Sequence, residues 1–190
     1  MAEHIHLVGL SGSLRKKSLN TYLLHAVKEV LPEGVSLEIA SVADLPLYNA
    51  DLDIPAADER PKAVATLRQT LAKADGLIFS SPEYNYSIPG GLKNMIDWAS
   101  RGKDSPLVGK AVALIGATPG LWGTVRMQQA FLPVFQYLDM KYANKPEILV
   151  AQANQKFDEH GKLTDETTRE LLGQKMEALK QLILDRRALA

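Results

Sequence analysis

Between Gly9 and Asn20 the chain reads GLSGSLRKKSLN. Three hydroxyls (Ser11, Ser13, Ser18), the run Arg15-Lys16-Lys17 and the amide of Asn20 crowd a span where a plain turn needs one or two such residues. Several N–H and O–H donors converging on one point suit a phosphate, and a loop that runs into a helix N-terminus adds backbone amides and a favourable dipole. Gly12 lets the backbone approach closely, Arg15 offers a fork of donors, and Asn20 can bond back into the loop. The spacing is neither the Gly-x-x-x-x-Gly-Lys-Ser/Thr of a nucleoside triphosphatase nor the Gly-x-Gly-x-x-Gly of a dinucleotide fold, so triphosphate hydrolysis loses its main support. A polar strand-to-helix turn with Asn20 as a simple N-cap is the other reading of this loop alone.

A second stretch, SPEYNYSIPGGLKNMIDWAS (81–100), sets Tyr84 and Tyr86 on either side of Asn85 in a segment stiffened by two prolines. Aromatic faces beside amide donors and acceptors suit a flat heteroaromatic ring whose edge needs hydrogen bonds. Half-buried loop packing is the alternative for the two tyrosines. A third stretch, GATPGLWG (116–123), is again rich in small residues.

All three stretches follow apolar runs. Strands are expected over 4–10, 35–40, 76–80, 111–117 and 148–151, the third and fourth continuously apolar, as suits strands covered on both faces. Between them lie helical stripes: Leu23, Leu24, Val27, Val30 and Leu31; Val64, Leu67 and Leu71 after Pro61; Leu92, Met95, Ile96 and Ala99 after Pro89; and Phe131, Leu132, Phe135 and Leu138 in a helix from about 123 to 138. A last helix with Thr164 as its cap carries Leu172, Met176, Leu179 and Ile183. Strands alternating with helices predict a parallel sheet with helices on both faces, and ligands then sit outside the carboxyl ends of the strands, where strand order reverses.

The 190 residues fit a single domain, 1–190, with 46% apolar and 23% charged residues. Lys+Arg and Asp+Glu balance at 22 each, so no long-range field exists to attract a nucleic acid. There is no cysteine, which excludes disulfides, thiol redox chemistry and iron–sulfur ligation by this chain. No apolar run approaches the roughly 20 residues of a membrane helix, and the first residues do not read as a signal peptide, so a cytoplasmic location is expected. His4, His6, His25 and His160 lack metal-ligand spacing and read as structural or surface groups.

Together, GSLRKKSLN (12–20) and SPEYNYSIPGGLKNMIDWASR (81–101) resemble the NAD(P)H-dependent FMN reductase family, in its chromate and quinone reductase branch. The resemblance runs in order along nearly the whole chain without large insertions. It implies a flavodoxin-like fold: a doubly wound five-stranded parallel sheet of order 2-1-3-4-5 in three α/β/α layers, binding FMN non-covalently. Carried over residue by residue, Ser11, Ser13, Arg15, Ser18 and Asn20 hold the FMN phosphate, with Leu14 and Leu19 of the same loop among the cofactor-binding residues. Pro82, Glu83, Tyr84 and Asn85 border the isoalloxazine. The third loop matches by position rather than by letter, since relatives are serine-rich where this chain has Ala117, Thr118 and Pro119, so main-chain contacts are expected from Ala117 and Thr118.

The implied reaction is two transfers in series, from NADPH or NADH to FMN and from FMN to a small acceptor such as a quinone, a metal oxyanion, an azo dye or free flavin. The flavin carries the chemistry, so no acid–base residue is required of the chain. Lys16 and Lys17 could meet the 2′-phosphate of NADPH or simply be solvated. Trp98 reads as packing and Trp122 as a wall of the substrate site. The resemblance also implies a homodimer or homotetramer: Arg126 and Glu147 match positions that relatives use between subunits, and the segment 47–60 would cover a neighbour's flavin. Two other classes stand beside this reading: a flavodoxin-type electron carrier, usually markedly acidic, and a phosphate-loop sugar or nucleotide enzyme, which would need metal-binding acids after a strand.

Overall fold

Six parallel strands form one sheet in the computed structural model of the chain, which describes residues 4–53 and 59–189. They are β1 (Ile5–Ser11), β2 (Val35–Ala40), β3 (Gly76–Ser80), β4 (Ala111–Ala117), β5 (Lys141–Tyr142) and β6 (Ile148–Val150). The order is β2-β1-β3-β4-β5, with β6 also paired to β4. Among the described residues five α-helices connect or follow them: α1 (Leu19–Glu29), α2 (Lys62–Lys73), α3 (Gly90–Ala99), α4 (Val125–Tyr137) and α5 (Glu166–Ala188).

Strand alternation splits the apolar side chains between two cores. Ile5 and Leu7 of β1 join α1 and α5 on one face, while Val8 and Leu10 join α2, α3 and α4 on the other. That division produces the continuously apolar runs of β3 and β4, whose residues are buried throughout. The three layers and the order 2-1-3-4-5 are those the resemblance implied.

The fifth position differs in detail from the single strand expected at 148–151. β5 pairs with the start of β4 (Ala111↔Lys141) and β6 with its end (Ile115↔Ile148), so two short pieces share one edge. Between them the chain leaves the sheet, and two buried side chains bridge the break: Gln128 Nε2 donates to Ile148 O at 2.9 Å, and Lys175 Nζ donates to Ala143 O. The cap of α5 is also displaced by one residue from expectation. Asp165, not Thr164, accepts the Thr168 N–H at 2.9 Å, because the carboxylate both reaches the amide and faces the positive helix end. α4 starts at Val125 rather than near 123, since Thr124 is left-handed with φ 68.

β1 and β3 are the neighbours between which the chain reverses its direction of progress across the sheet. The loops leaving their carboxyl ends therefore flank a crevice. Among the described helices, none is long and apolar enough to cross a membrane.

Candidate functional site

Loop one leaves β1 beside β3, held by Gly12 N–H donating to Ser80 O at 2.8 Å. A Cβ on Gly12 would lie 2.7 Å from Ser81 Oγ and 3.1 Å from Pro82 Cδ, so the bare glycine is what lets the first and second loops touch. Ser18, not Asn20, caps α1, its side-chain oxygen accepting from Thr21 N at 3.2 Å. Leu19 and Asn20 are then the first helical residues, whose N–H groups have no acceptor within the helix. With the hydroxyls of Ser13 and Ser18, both buried, and the exposed guanidinium of Arg15, they form a donor set for a phosphate at a helix N-terminus.

Two residues of this loop stand apart. Ser11 Oγ accepts from Thr21 Oγ1 at 2.9 Å and from Ser13 N at 3.3 Å, and faces a groove toward β2 together with Leu14. Asn20 lines the cleft, yet its side-chain amide is spent inside the fold. Nδ2 donates to Ala117 O and Oδ1 accepts from Ala117 N, each at 2.9 Å, while Ser80 Oγ donates to the Asn20 carbonyl at 2.9 Å. The Asn20 side chain is thus a tie between loops, which leaves its backbone N–H for a ligand.

Loop two runs from Ser81, whose N–H donates to Ile115 O, into a tight turn. Tyr84 and Ser87 pair across it in both directions, and Asn85 and Tyr86 between them are left-handed, with φ 50 and 63. Such two-residue turns usually recruit glycine, so a tyrosine here is held by its surroundings. The Tyr86 ring lies under the Arg126 guanidinium at 4.1 Å, with Trp122 at 5.5 Å from the same cation. Glu83 Oε2 accepts from the N–H groups of Arg126 and Met127, at 2.9 and 3.1 Å.

Loop three closes the end of the sheet. The Thr118 N–H donates to Val150 O at 3.0 Å and its carbonyl accepts from Ala153 N at 2.9 Å, just as Ala117 is taken by Asn20. The N–H groups of Ala117 and Thr118 are thus used to close the end of the sheet, and the Thr118 hydroxyl accepts from Gly120 N–H at 3.2 Å; both residues still line the cleft.

These loops enclose a cleft of about 280 Å³. Ser13, Arg15, Ser18, Leu19 and Asn20 meet Pro82, Glu83 and Tyr84, and Ala117 and Thr118 close it with Pro119. Pro119 joins the site beyond the residues expected, its one signal in the sequence being its place beside Thr118. Asn85 sits in the turn above and Ser11 and Leu14 behind the loop, outside this lining.

The remaining singled-out residues are placed as follows. Trp98 is fully buried and donates Nε1–H to Pro46 O at 2.8 Å, whereas Trp122 is 68% exposed. His4 bonds Ser36 and His6 faces Glu38. Glu147 pairs with Lys145 at 3.4 Å. Of the segment 47–60, residues 54–58 lie outside the described residues, and its near end is anchored by a buried Asp53–Arg60 pair at 2.7 Å.

A second cleft, about 430 Å³, opens at the opposite end of β3 and β4 among Lys73, Asp75, Lys110, Arg186 and Arg187. Three of its cations are committed: Lys110 donates to Ala74 O, Arg186 to Gly109 O, and Arg187 pairs with Asp75. They compensate the carbonyl-rich ends of α2 and α5, and the chemistry concentrates at the carboxyl ends of the strands.

The profile of the family described as NADPH-dependent FMN reductase matches residues 5–155. An NAD(P)H-dependent FMN reductase of Pseudomonas aeruginosa is 42% identical over 180 residues, spanning 95% of this chain and 96% of that one. A quinone reductase of Escherichia coli is 36% identical, spanning 96% and 97%. Among solved structures, a flavoenzyme NAD(P)H:(acceptor) oxidoreductase from Paracoccus denitrificans matches with a TM-score of 0.84 at 30% identity, covering 95% of this chain and 98% of that one.

Proposed function

Because the chain belongs to the NADPH-dependent FMN reductase family, we propose that the cleft binds FMN and that the protein is an NAD(P)H:acceptor oxidoreductase. The observation that carries the proposal is the convergence of Ser13, Arg15, Ser18 and the first-turn amides of α1 on one side of a cleft whose other side is Pro82 and Tyr84. The donor set fits a phosphate monoester, which needs several donors and one or two positive charges at close range. Arg15 and the helix N-terminus would hold that phosphate, and Tyr84 and Pro82 would border the ring. Bound FMN supplies the redox chemistry, taking two electrons from NAD(P)H and giving them to an acceptor.

The chain's own share is to bind and orient. Glu83, the only carboxylate among the described lining residues, is turned onto the N-terminus of α4 rather than aimed into the cleft. The acceptors best supported are quinones, the substrates named for several relatives; metal oxyanions, azo dyes and free flavins belong to the same proposal. Leu121, Trp122 and Tyr86 stand exposed on loops two and three, which favours a homodimer or homotetramer in which a second copy covers them. The cytoplasm, where reduced nicotinamides are made, is the location we assign.

Steady-state kinetics with NADPH and a benzoquinone test this reading. A reductase gives sustained NADPH oxidation and parallel double-reciprocal lines, since both substrates use one site in turn. A protein that binds FMN but shows no turnover with either nicotinamide is an electron carrier.

A further inference from the structure

α4 begins without a cap of its own. Thr124, at the N-cap position, is left-handed and makes no side-chain bond to the helix, and its buried hydroxyl has no partner among the described residues. The first-turn amides of a helix need acceptors from elsewhere. Here the acceptor comes from 43 residues away: Glu83 Oε2 takes Arg126 N–H at 2.9 Å and Met127 N–H at 3.1 Å, from a side chain only 13% exposed. A carboxylate at that place is also favoured by the helix dipole.

The same first turn reaches back to the same loop, because the Arg126 guanidinium lies 4.1 Å over the Tyr86 ring. Residues 83 to 86 are therefore fastened to α4 at both ends, by carboxylate on amide at Glu83 and by ring under cation at Tyr86. Between the fastenings lie Tyr84, which lines the cleft, and Asn85, whose φ of 50 continues into the φ of 63 at Tyr86. Two consecutive non-glycine residues in that region persist only where the surroundings over-determine them.

We propose that Glu83 is a positioning residue for the flavin ring: its carboxylate is spent on the N-terminus of α4 and thereby holds the Tyr84–Ser87 turn in the shape that borders the cofactor. The inference rests on the FMN reading above. The second oxygen, Oε1, lies 3.8 Å from the partly exposed Arg126 guanidinium, a long ion pair beside the two short amide bonds, so what Glu83 must chiefly supply is an acceptor oxygen at the correct reach. Glutamine retains that oxygen, alanine removes it, and aspartate keeps the charge but is one methylene too short.

The test titrates FMN and riboflavin into the apoprotein, following flavin fluorescence, with acrylamide quenching of exposed Trp122 read before any flavin is added; buried Trp98 contributes little to that quenching. Glu83→Ala is expected to weaken FMN and riboflavin equally, by about five- to tenfold, the scale of a lost helix cap. It also changes Trp122 quenching. Glu83→Gln is expected to restore both readouts, and Glu83→Asp, the milder truncation if alanine does not fold, to behave like alanine. Wild-type flavin affinity in Glu83→Ala overturns the proposal. So does a Glu83→Gln variant as impaired as alanine, which would make the charge and not the acceptor oxygen the active feature, or weakened FMN binding with Trp122 unchanged, which would place the carboxylate on the cofactor itself. Should the wild-type protein bind no FMN, the functional reading falls, while Trp122 quenching separately decides whether Glu83 holds the turn.

Discussion

Asn20 and Ala117, 97 residues apart in sequence, exchange two hydrogen bonds of 2.9 Å each. The side chain that opens α1 thus imitates a strand beside β4, and with Ser80 donating to the Asn20 carbonyl it ties the three loops of the cleft to one another. Replacing Asn20 by alanine strands a buried N–H and a buried C=O, which costs about 2–4 kcal/mol. Urea unfolding of the apoprotein is expected to show that loss. Asn20→Asp keeps the acceptor but sets an oxygen against Ala117 O, and is expected to be destabilised as well.

Arg15 is the reverse case. Its exposed side chain takes part in no ion pair among the described residues, so Arg15→Ala is expected to leave apoprotein stability within about 0.5 kcal/mol. FMN affinity should fall by about 1.5–3 kcal/mol, the worth of hydrogen bonds to a charged group. Riboflavin, which lacks the phosphate, is the control: its affinity should not change. Equal losses for both flavins would remove Arg15 from the phosphate site.

Lys175 supplies a pH dependence. It is fully buried across the break between β5 and β6, its ammonium 4.9 Å over the Tyr142 ring. Burial pushes it down from 10.5 to about 8, against a pull upward from Glu147 and with a smaller push downward from Lys145. Tyr142, pushed up to about 12 chiefly by burial, stays protonated across this window. Between pH 8 and 10.5 the unfolded chain holds more protons at this lysine than the folded one, so its contribution to stability rises with pH there and is least favourable below pH 8. Lys175→Met is therefore expected to be more stable than wild type at pH 7 by about 1–2 kcal/mol, net of the Ala143 hydrogen bond it loses, with the advantage shrinking by pH 10. Parallel stability curves for the two proteins would contradict this.

Gly116 is enforced by contact rather than by backbone angle. A Cβ there would stand 2.1 Å from Thr124 Oγ1 and 2.8 Å from Ser81 O. Gly116→Ala should cost about 1–3 kcal/mol, and pairing it with Thr124→Gly should cost less than the two changes summed, because part of the clash is shared. Additive losses in thermal unfolding would show that the two sites do not press on each other.

What could be read from sequence alone was set by locality. Ser13, Arg15, Ser18 and Tyr84 declare themselves, because glycine, serine and proline after an apolar run mark a loop at a strand end, and the chemistry of that loop is written in its own letters. The roles of Asn20 and Glu83 are not local. Each side chain is committed to backbone groups far along the chain, and nothing near Asn20 or Glu83 names Ala117 or Arg126 as the partner. The commitment of the Ala117 and Thr118 N–H groups is hidden for the same reason: their acceptors are a side chain on α1 and a strand, β6, that pairs with the last residues of β4. The break in the fifth strand is not local either: the Ala143 carbonyl, where the chain leaves the sheet, is taken by Lys175 from α5, 32 residues on.

The central claim is that this cleft carries FMN that reduced nicotinamide can reach. The most direct measurement is the absorption spectrum from 300 to 550 nm of the FMN-loaded protein, recorded anaerobically before and after NADPH and again after a quinone. Flavin bands that bleach with NADPH and return with the quinone are the predicted result; bands that stay oxidised with both NADPH and NADH, or a protein that takes up no FMN, would contradict it.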